Sequence, residues 1–160
     1  MAVVLVEGIT DRLALEAVAG RVARDLDGIE IVPIGGAQAI RRAAAQYEGE
    51  HVVGLCDAGE ERFFRRVLGD ATFVCDKDLE DELIRALGAD RVQKVVAAQG
   101  ELQTFRSFQN QVFWRGRPVE RQLRRWLQNG GRYLRYPPLL IGAMEPGEIP
   151  RPLVGVLEHV

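Results

Sequence analysis

Acidic side chains gather at three places in the first half of the chain, each just after a short apolar run. Glu7 and Asp11 follow the first run, Asp57, Glu60 and Glu61 the second, and Asp76, Asp78 and Glu80 the third. Apolar runs of this length, rich in valine, read as strands of a parallel sheet, whose ligands sit just beyond the carboxyl ends. Glu7 and Asp11 are four residues apart, so they share one face if a helix starts between them. Carboxylates that converge repel one another unless a cation neutralises them, and hard oxygen ligands select Mg²⁺ or Mn²⁺. Two such ions can stabilise both the attacking and the leaving oxygen in phosphoryl transfer. Taken singly, each acid is an ordinary first-turn helix residue that complements the dipole. Their concentration at three successive strand ends favours the metal reading.

The elements that must hold these acids alternate through residues 1–88. Strands are expected at Val3–Val6, Ile29–Ile34, His51–Cys56 and Thr72–Cys75. Between and after them, helices are expected over Thr10–Leu26 with Thr10 as the cap, from Gly35-Gly36 through Tyr47, over Glu60–Leu68 and over Leu79–Leu87. The alternation predicts an α/β fold with about four parallel strands flanked by helices. After Gly88 no strand pattern remains. Helices are expected at Asp90–Ala98, Glu101–Phe113, Pro118–Leu127 and Tyr136–Met144, with a short segment at Leu153–Leu157. Residues 89–160 therefore read as a helical extension packed on the core formed by 1–88, the whole chain being a single domain.

Composition narrows the class. A 47% hydrophobic and 28% charged chain of 160 residues is that of a globular domain, and no apolar stretch is long enough to span a bilayer. Two cysteines, Cys56 and Cys75, lack the spacing of a zinc site or a disulfide framework and fit buried thiols in a reducing cytoplasm. The net charge of −2 hides an asymmetry. Residues 1–80 carry nine basic and fifteen acidic side chains, and residues 81–160 carry twelve and eight.

The basic excess is concentrated. From Arg106 to Arg135 there are eight arginines and one acid, Glu120, interleaved with Phe108, Phe113, Trp114, Trp126 and Tyr133. Arginines neutralise phosphates and aromatic faces stack on unpaired bases, so this is a candidate nucleic-acid surface, with Arg117, Arg121, Arg124, Arg125 and Arg135 as its cations. The competing reading makes the aromatics core and the arginines its solvated rim. For Phe108 and Trp126 the core reading is favoured, because Leu123, Trp126 and Leu127 form an apolar stripe.

The ordered segments VVLVEGITDRLALEAVA, PIGGAQAI, HVVGLCDAGEERFF and VCDKDLEDELIRALG resemble the Toprim portion of the overcoming-lysogenization-defect (OLD) nucleases. FQNQVFWRG and QLRRWL extend the likeness over nearly the whole chain. The resemblance implies a Toprim-type, Rossmann-like fold and a two-metal nuclease centre using Mg²⁺ or Mn²⁺, with no nucleotide cofactor. Glu7 and Asp11 match the first acidic pair, Asp57 the aspartate of the second motif, and Asp78 and Glu80 the pair in the DLE segment. Glu7 and Asp57 would then be catalytic as well as metal-binding. Two departures stand out. The usual Asp-x-Asp is here Asp57 followed by Ala58-Gly59, leaving Glu60 as the candidate for the missing carboxylate. In GGRYLRY, Tyr133 stands where the family lysine is expected, leaving Arg132 as the candidate to stabilise developing phosphate charge. Full-length relatives carry an ATPase domain, and no GxxxxGK[ST] loop occurs here, so a separate ATPase partner is an expected associate. A homodimer would match the two strands of a DNA duplex. The alternative is a catalytically impaired nucleic-acid-binding or regulatory module.

Overall fold

The computed structural model describes residues 1–160. Four strands, β1 (Ala2–Val6), β2 (Ile29–Pro33), β3 (His51–Asp57) and β4 (Thr72–Cys75), form one wholly parallel sheet in the order β2-β1-β3-β4. Helices α1 (Ile9–Arg21), α2 (Ile40–Ala45) and α3 (Glu61–Leu68) connect them, and α4 (Leu79–Leu87) follows β4. The chain leaves β1 in one direction and then returns past it to β3. Right-handed crossovers therefore put α1 on one face of the sheet and α2 and α3 on the other. The period-two alternation of a strand sorts the side chains accordingly. Val4 and Val6 join a core with Ala14, Leu15 and Val18 of α1, while Val3 and Leu5 pack with Ile40, Ala43 and Phe64. Gly54 in β3 lets α3 approach closely, since a Cβ there would lie 2.6 Å from Leu68 Cδ1 and 2.7 Å from Phe64 Cδ1.

The second half is helical, as its pattern predicts: α5 (Ala89–Ala98), α6 (Leu102–Gln109), α7 (Val119–Gln128), α8 (Arg132–Gly142) and α9 (Arg151–Glu158). Helix α8 lies along α1, α9 packs on β3 and β4, and α7 packs on α4. Phe105, Leu123, Trp126, Tyr136 and Leu153 consequently belong to the same core as Val4 and Leu55. Trp126 sits at its centre, edge-on to Phe105 and Tyr136 with ring centroids 5.4 and 5.7 Å away. The helical extension thus closes the sheet face that α1 alone covers only in part.

Several boundaries differ from the sequence expectation for local reasons. Helix α1 stops at Arg21 and not Leu26, because Ala23 takes a left-handed φ of 53° just beyond it. Its cap is Gly8 and not Thr10: the Gly8 N–H donates to Asp11 Oδ2 at 3.0 Å. Helix α6 ends at Gln109, four residues early, where the chain turns so that Trp114 packs back on Phe108 at 5.1 Å. Helix α8 begins at Arg132, four residues early, entered from left-handed Gly130 and Gly131. It holds Pro137 and Pro138 in its interior, whereas the expected helix from Tyr136 put them in its first turn, where a proline's missing N–H costs nothing.

Candidate metal centre at the strand ends

The reversal of winding opens a crevice between the carboxyl ends of β1 and β3, where open α/β sheets bind their ligands. Glu7 ends β1 and Asp57 ends β3, and the parallel register (Val6 opposite Leu55) sets them side by side. The Asp57 N–H donates to Glu7 Oε1 at 2.7 Å, fixing one carboxylate oxygen of Glu7. The Glu7 carbonyl in turn accepts from the N–H groups of Gly35 (3.1 Å) and Gly36 (3.2 Å) in the turn after β2. Asp11, one turn into α1, has Oδ2 engaged by Gly8. Asp57 makes no side-chain hydrogen bond. All three side chains are half-buried.

Their proton affinities record the convergence. Asp57 is pushed up to about 8, first by burial and then by the charges of Glu7, Asp11, Asp78 and Glu80. Asp11 is pushed up to about 7, again by burial first, against its bond from Gly8 and with Glu7 and Glu80 adding repulsion. Glu7 and Glu80 also lie above the usual carboxylate range, burial being the largest cause for each. Glu60 adds repulsion at Glu7. The two line a cleft of about 640 Å³, with the Gly35–Ala39 turn and Arg42 on its other side.

Not every acid of the sequence pattern is equally available. Asp78 caps α4, its Oδ1 accepting from the Asp81 N–H at 2.9 Å. Its Oδ2 takes the Arg124 guanidinium through Nε at 2.8 Å and Nη2 at 2.5 Å, and Gln128 Nε2 at 3.1 Å. Asp78 is therefore a fully partnered ion that joins α4 to α7. Glu61 pairs with Arg65, and Asp76 lies 3.8 Å from Arg85. No three acidic, histidine or cysteine side chains stand in a ready-made ion cage. The donor set fits a hard cation by chemistry, being all carboxylate, partly buried and mutually repelling, but it is not closed into ligand geometry.

The predicted cations divide. Arg124 reaches the acidic cluster, which sequence spacing gave no means of seeing, since Asp78 lies 46 residues away. Arg135 is bound to Glu101 at 2.6 Å, and Tyr136 shares that carboxylate at 2.8 Å. Arg117 lies 4.1 Å over the Phe113 ring and donates to the Phe113 carbonyl at 2.5 Å. Arg132 lies 4.2 Å over the Trp126 ring and donates from Nε to the Trp126 carbonyl at 2.8 Å, so it is held in the helical region. Arg121 and Arg125 are exposed with no carboxylate partner. Glu82 escaped the sequence reading: nearly buried, it accepts from the Asp76 N–H at 2.8 Å and braces the end of β4.

A family model for the overcoming lysogenization defect protein-like TOPRIM domain matches residues 1–52, which include β1, α1 and β2. Over the whole chain, the solved C-terminal region of the Burkholderia pseudomallei OLD protein superposes with a TM-score of 0.73 at 18% identity. That match covers 99% of this chain and 95% of the other. The chain thus has the fold of that OLD region. The C-terminal region of the Xanthomonas campestris pv. campestris OLD protein is similar too, with a TM-score of 0.72, 22% identity and coverage of 99% and 91%. No curated protein sequence matches the chain. The OLD-type fold extends past the residues of the family match, through the helical half to α9. No helix of the chain is long and apolar enough to cross a membrane.

Proposed function

We propose that this chain is an OLD-type Toprim domain, a nuclease that nicks or cleaves DNA by divalent-metal-dependent phosphodiester hydrolysis. The observation that carries the reading is the crevice at the β1/β3 switch point, where Glu7, Asp11 and Asp57 converge half-buried and hold their protons unusually tightly. Such a cluster is costly unless a cation or protons neutralise it, and the OLD-like match points to a nuclease-type family. Glu7, Asp11 and Asp57 would hold Mg²⁺ or Mn²⁺, with Glu80 and Glu60 at the edge of the site. Two bound ions would supply a hydroxide nucleophile and stabilise the leaving 3′ oxygen. Glu7 is positioned for this by its bond from Asp57, which leaves Oε2 free. Asp78 would position the site through α4 and Arg124. Exposed Arg121 and Arg125 would meet the DNA backbone.

The test is cleavage of supercoiled plasmid in Mg²⁺, Mn²⁺ and Ca²⁺ by wild type beside Asp57→Ala. Nicking by the wild type alone is expected in Mg²⁺ or Mn²⁺; equal cutting by the variant overturns the reading. A second reading, a DNA-binding or regulatory module without turnover that works beside a separate ATPase, is favoured by one arrangement. Arg132 is tied to Trp126 and Arg124 to Asp78, so neither of these arginines of the helical half is free to serve the reaction. That module would bind DNA and metal and cut nothing.

A further inference from the structure

A second concave site lies on the flank of α7 away from Asp78. It is a pocket of about 490 Å³ whose lining includes Ser107, Trp114, Arg125, Trp126, Asn129 and Arg132, with no acidic residue. A volume of this order suits one small organic ligand. Arg125 and Arg132 have no carboxylate partner, whereas Arg124, one residue before Arg125, is neutralised by Asp78. The pocket therefore carries uncompensated positive charge. Its wall is aromatic: Arg132 lies over the Trp126 indole, 4.2 Å from the ring centroid, held there by its bond to the Trp126 carbonyl. Trp114 forms another part of the wall, braced by Phe108 at 5.1 Å and Phe113 at 5.0 Å. Ser107 and Asn129 add neutral hydrogen-bonding groups at the rim. Planar surfaces for stacking, amide and hydroxyl groups for ring edges and a free guanidinium group, that of Arg125, for phosphate are the requirements of a nucleotide unit.

We propose that this pocket binds one unpaired nucleotide of single-stranded DNA, its base stacked against the Arg132 and Trp114 planes and its phosphate held by Arg125. Duplex DNA cannot fill it, because paired bases are not free to enter. The proposal rests on the nucleic-acid part of the function proposed above and is independent of its metal chemistry. Helix α7 carries Arg125 toward the pocket and Arg124 toward the carboxylates, so a strand anchored here would pass next to the candidate metal centre. Substrates with unpaired ends or gaps would then be preferred.

The chain has two tryptophans, and both line the pocket, so their fluorescence reports its occupancy directly. The experiment titrates the protein in EDTA with a thymidine oligonucleotide, the same sequence as a duplex, and thymidine monophosphate. Saturable quenching by the single strand is expected, with the duplex and the free nucleotide each at least about tenfold weaker. Arg125→Glu should weaken the single strand by about tenfold or more, since it removes a charge-assisted contact. Ser107→Leu, at an exposed rim position, should weaken it by filling the pocket. Arg66→Glu, an equal charge change on exposed α3, should weaken it less than threefold. Absence of quenching, equal quenching by duplex, tighter binding of the free nucleotide or equal losses in Arg125→Glu and Arg66→Glu would each overturn the proposal. Because no metal is present, the outcome separates from the nuclease reading. Plasmid cleavage without quenching sinks the pocket alone, and quenching without cleavage sinks the nuclease alone.

Discussion

The strand ends and the helical half differ in how their charges are placed. At the strand ends, Glu7, Asp11 and Asp57 are driven together by backbone topology, and like charge accumulates without compensation. In the helical half, most of the arginines that looked like a binding surface are spent on structure, on Asp78, Glu101, Phe113 or Trp126. A charge cluster that lowers stability is a better mark of function than a charge that is already satisfied. The few arginines left free, Arg121 and Arg125, therefore carry more functional information than the whole basic run.

The largest expected effect breaks the comparison from the helical side. Trp126→Ala removes the fully buried centre of the shared core and should cost about 3–5 kcal/mol. If residues 1–160 fold as one unit, urea unfolding of this variant shows a single shifted transition by both far-UV circular dichroism and fluorescence. Two separated transitions would mean that the helical half is an independent body.

At the strand ends, conservative neutralisation should cost activity and not fold. Asp57→Asn and Glu7→Gln should each lower metal-dependent cleavage by at least about a hundredfold, since even groups that only orient metal ligands matter by about 10–100-fold. Without metal, Asp57→Asn should melt at or above the wild-type temperature, because it removes a repelled carboxylate. A lower melting temperature would mean that the cluster is held together by contacts and not strained by charge.

A smaller effect concerns the bridge between the regions. Arg124→Ala leaves Asp78 still capping α4 but without its cation, and should destabilise by about 1–2 kcal/mol, the half-exposed guanidinium moderating the loss. Arg135→Ala, at an outer ion pair, should cost no more than about 1 kcal/mol.

The mildest signature is in pH. Asp11 and Asp57 hold protons in the folded state up to about 7 and about 8, well above their ordinary values. Between pH 4 and 8 these two groups bind more protons in the folded chain than in the unfolded one. This contribution to stability is thus present at low pH and is lost as pH rises through those values. In EDTA the melting temperature should fall from pH 5.5 to 8.5. Asp57→Asn should flatten the slope, and Mg²⁺ should raise the melting temperature more at the upper end.

Much of the sheet was legible because each of its signals is local. An apolar run, a following acid and an amphipathic segment set β1, β3, β4 and their helices to within a few residues. The convergence of Glu7 with Asp57 follows from parallel order, which alternation predicts. The partners of Asp78 were not legible, because Arg124 and Gln128 arrive from α7 through tertiary packing and no spacing rule joins residues so far apart. The start of α8 was missed for the opposite reason. Pro137 and Pro138 suit the first turn of a helix, which agrees with a start at Tyr136, yet the helix starts a turn earlier with Tyr136 buried in the shared core.

Glu7 is fastened at both ends, its carboxylate accepting from the Asp57 N–H and its carbonyl from Gly35 and Gly36. The side chain of Asp57 has no such second duty. The two positions would therefore tolerate substitution unequally. A lineage that gave up metal chemistry would still need a long acceptor at position 7 to hold the end of β3, and glutamine would serve. Position 57 would be free to drift first, so the order of loss among descendants would tell whether chemistry or architecture was being kept.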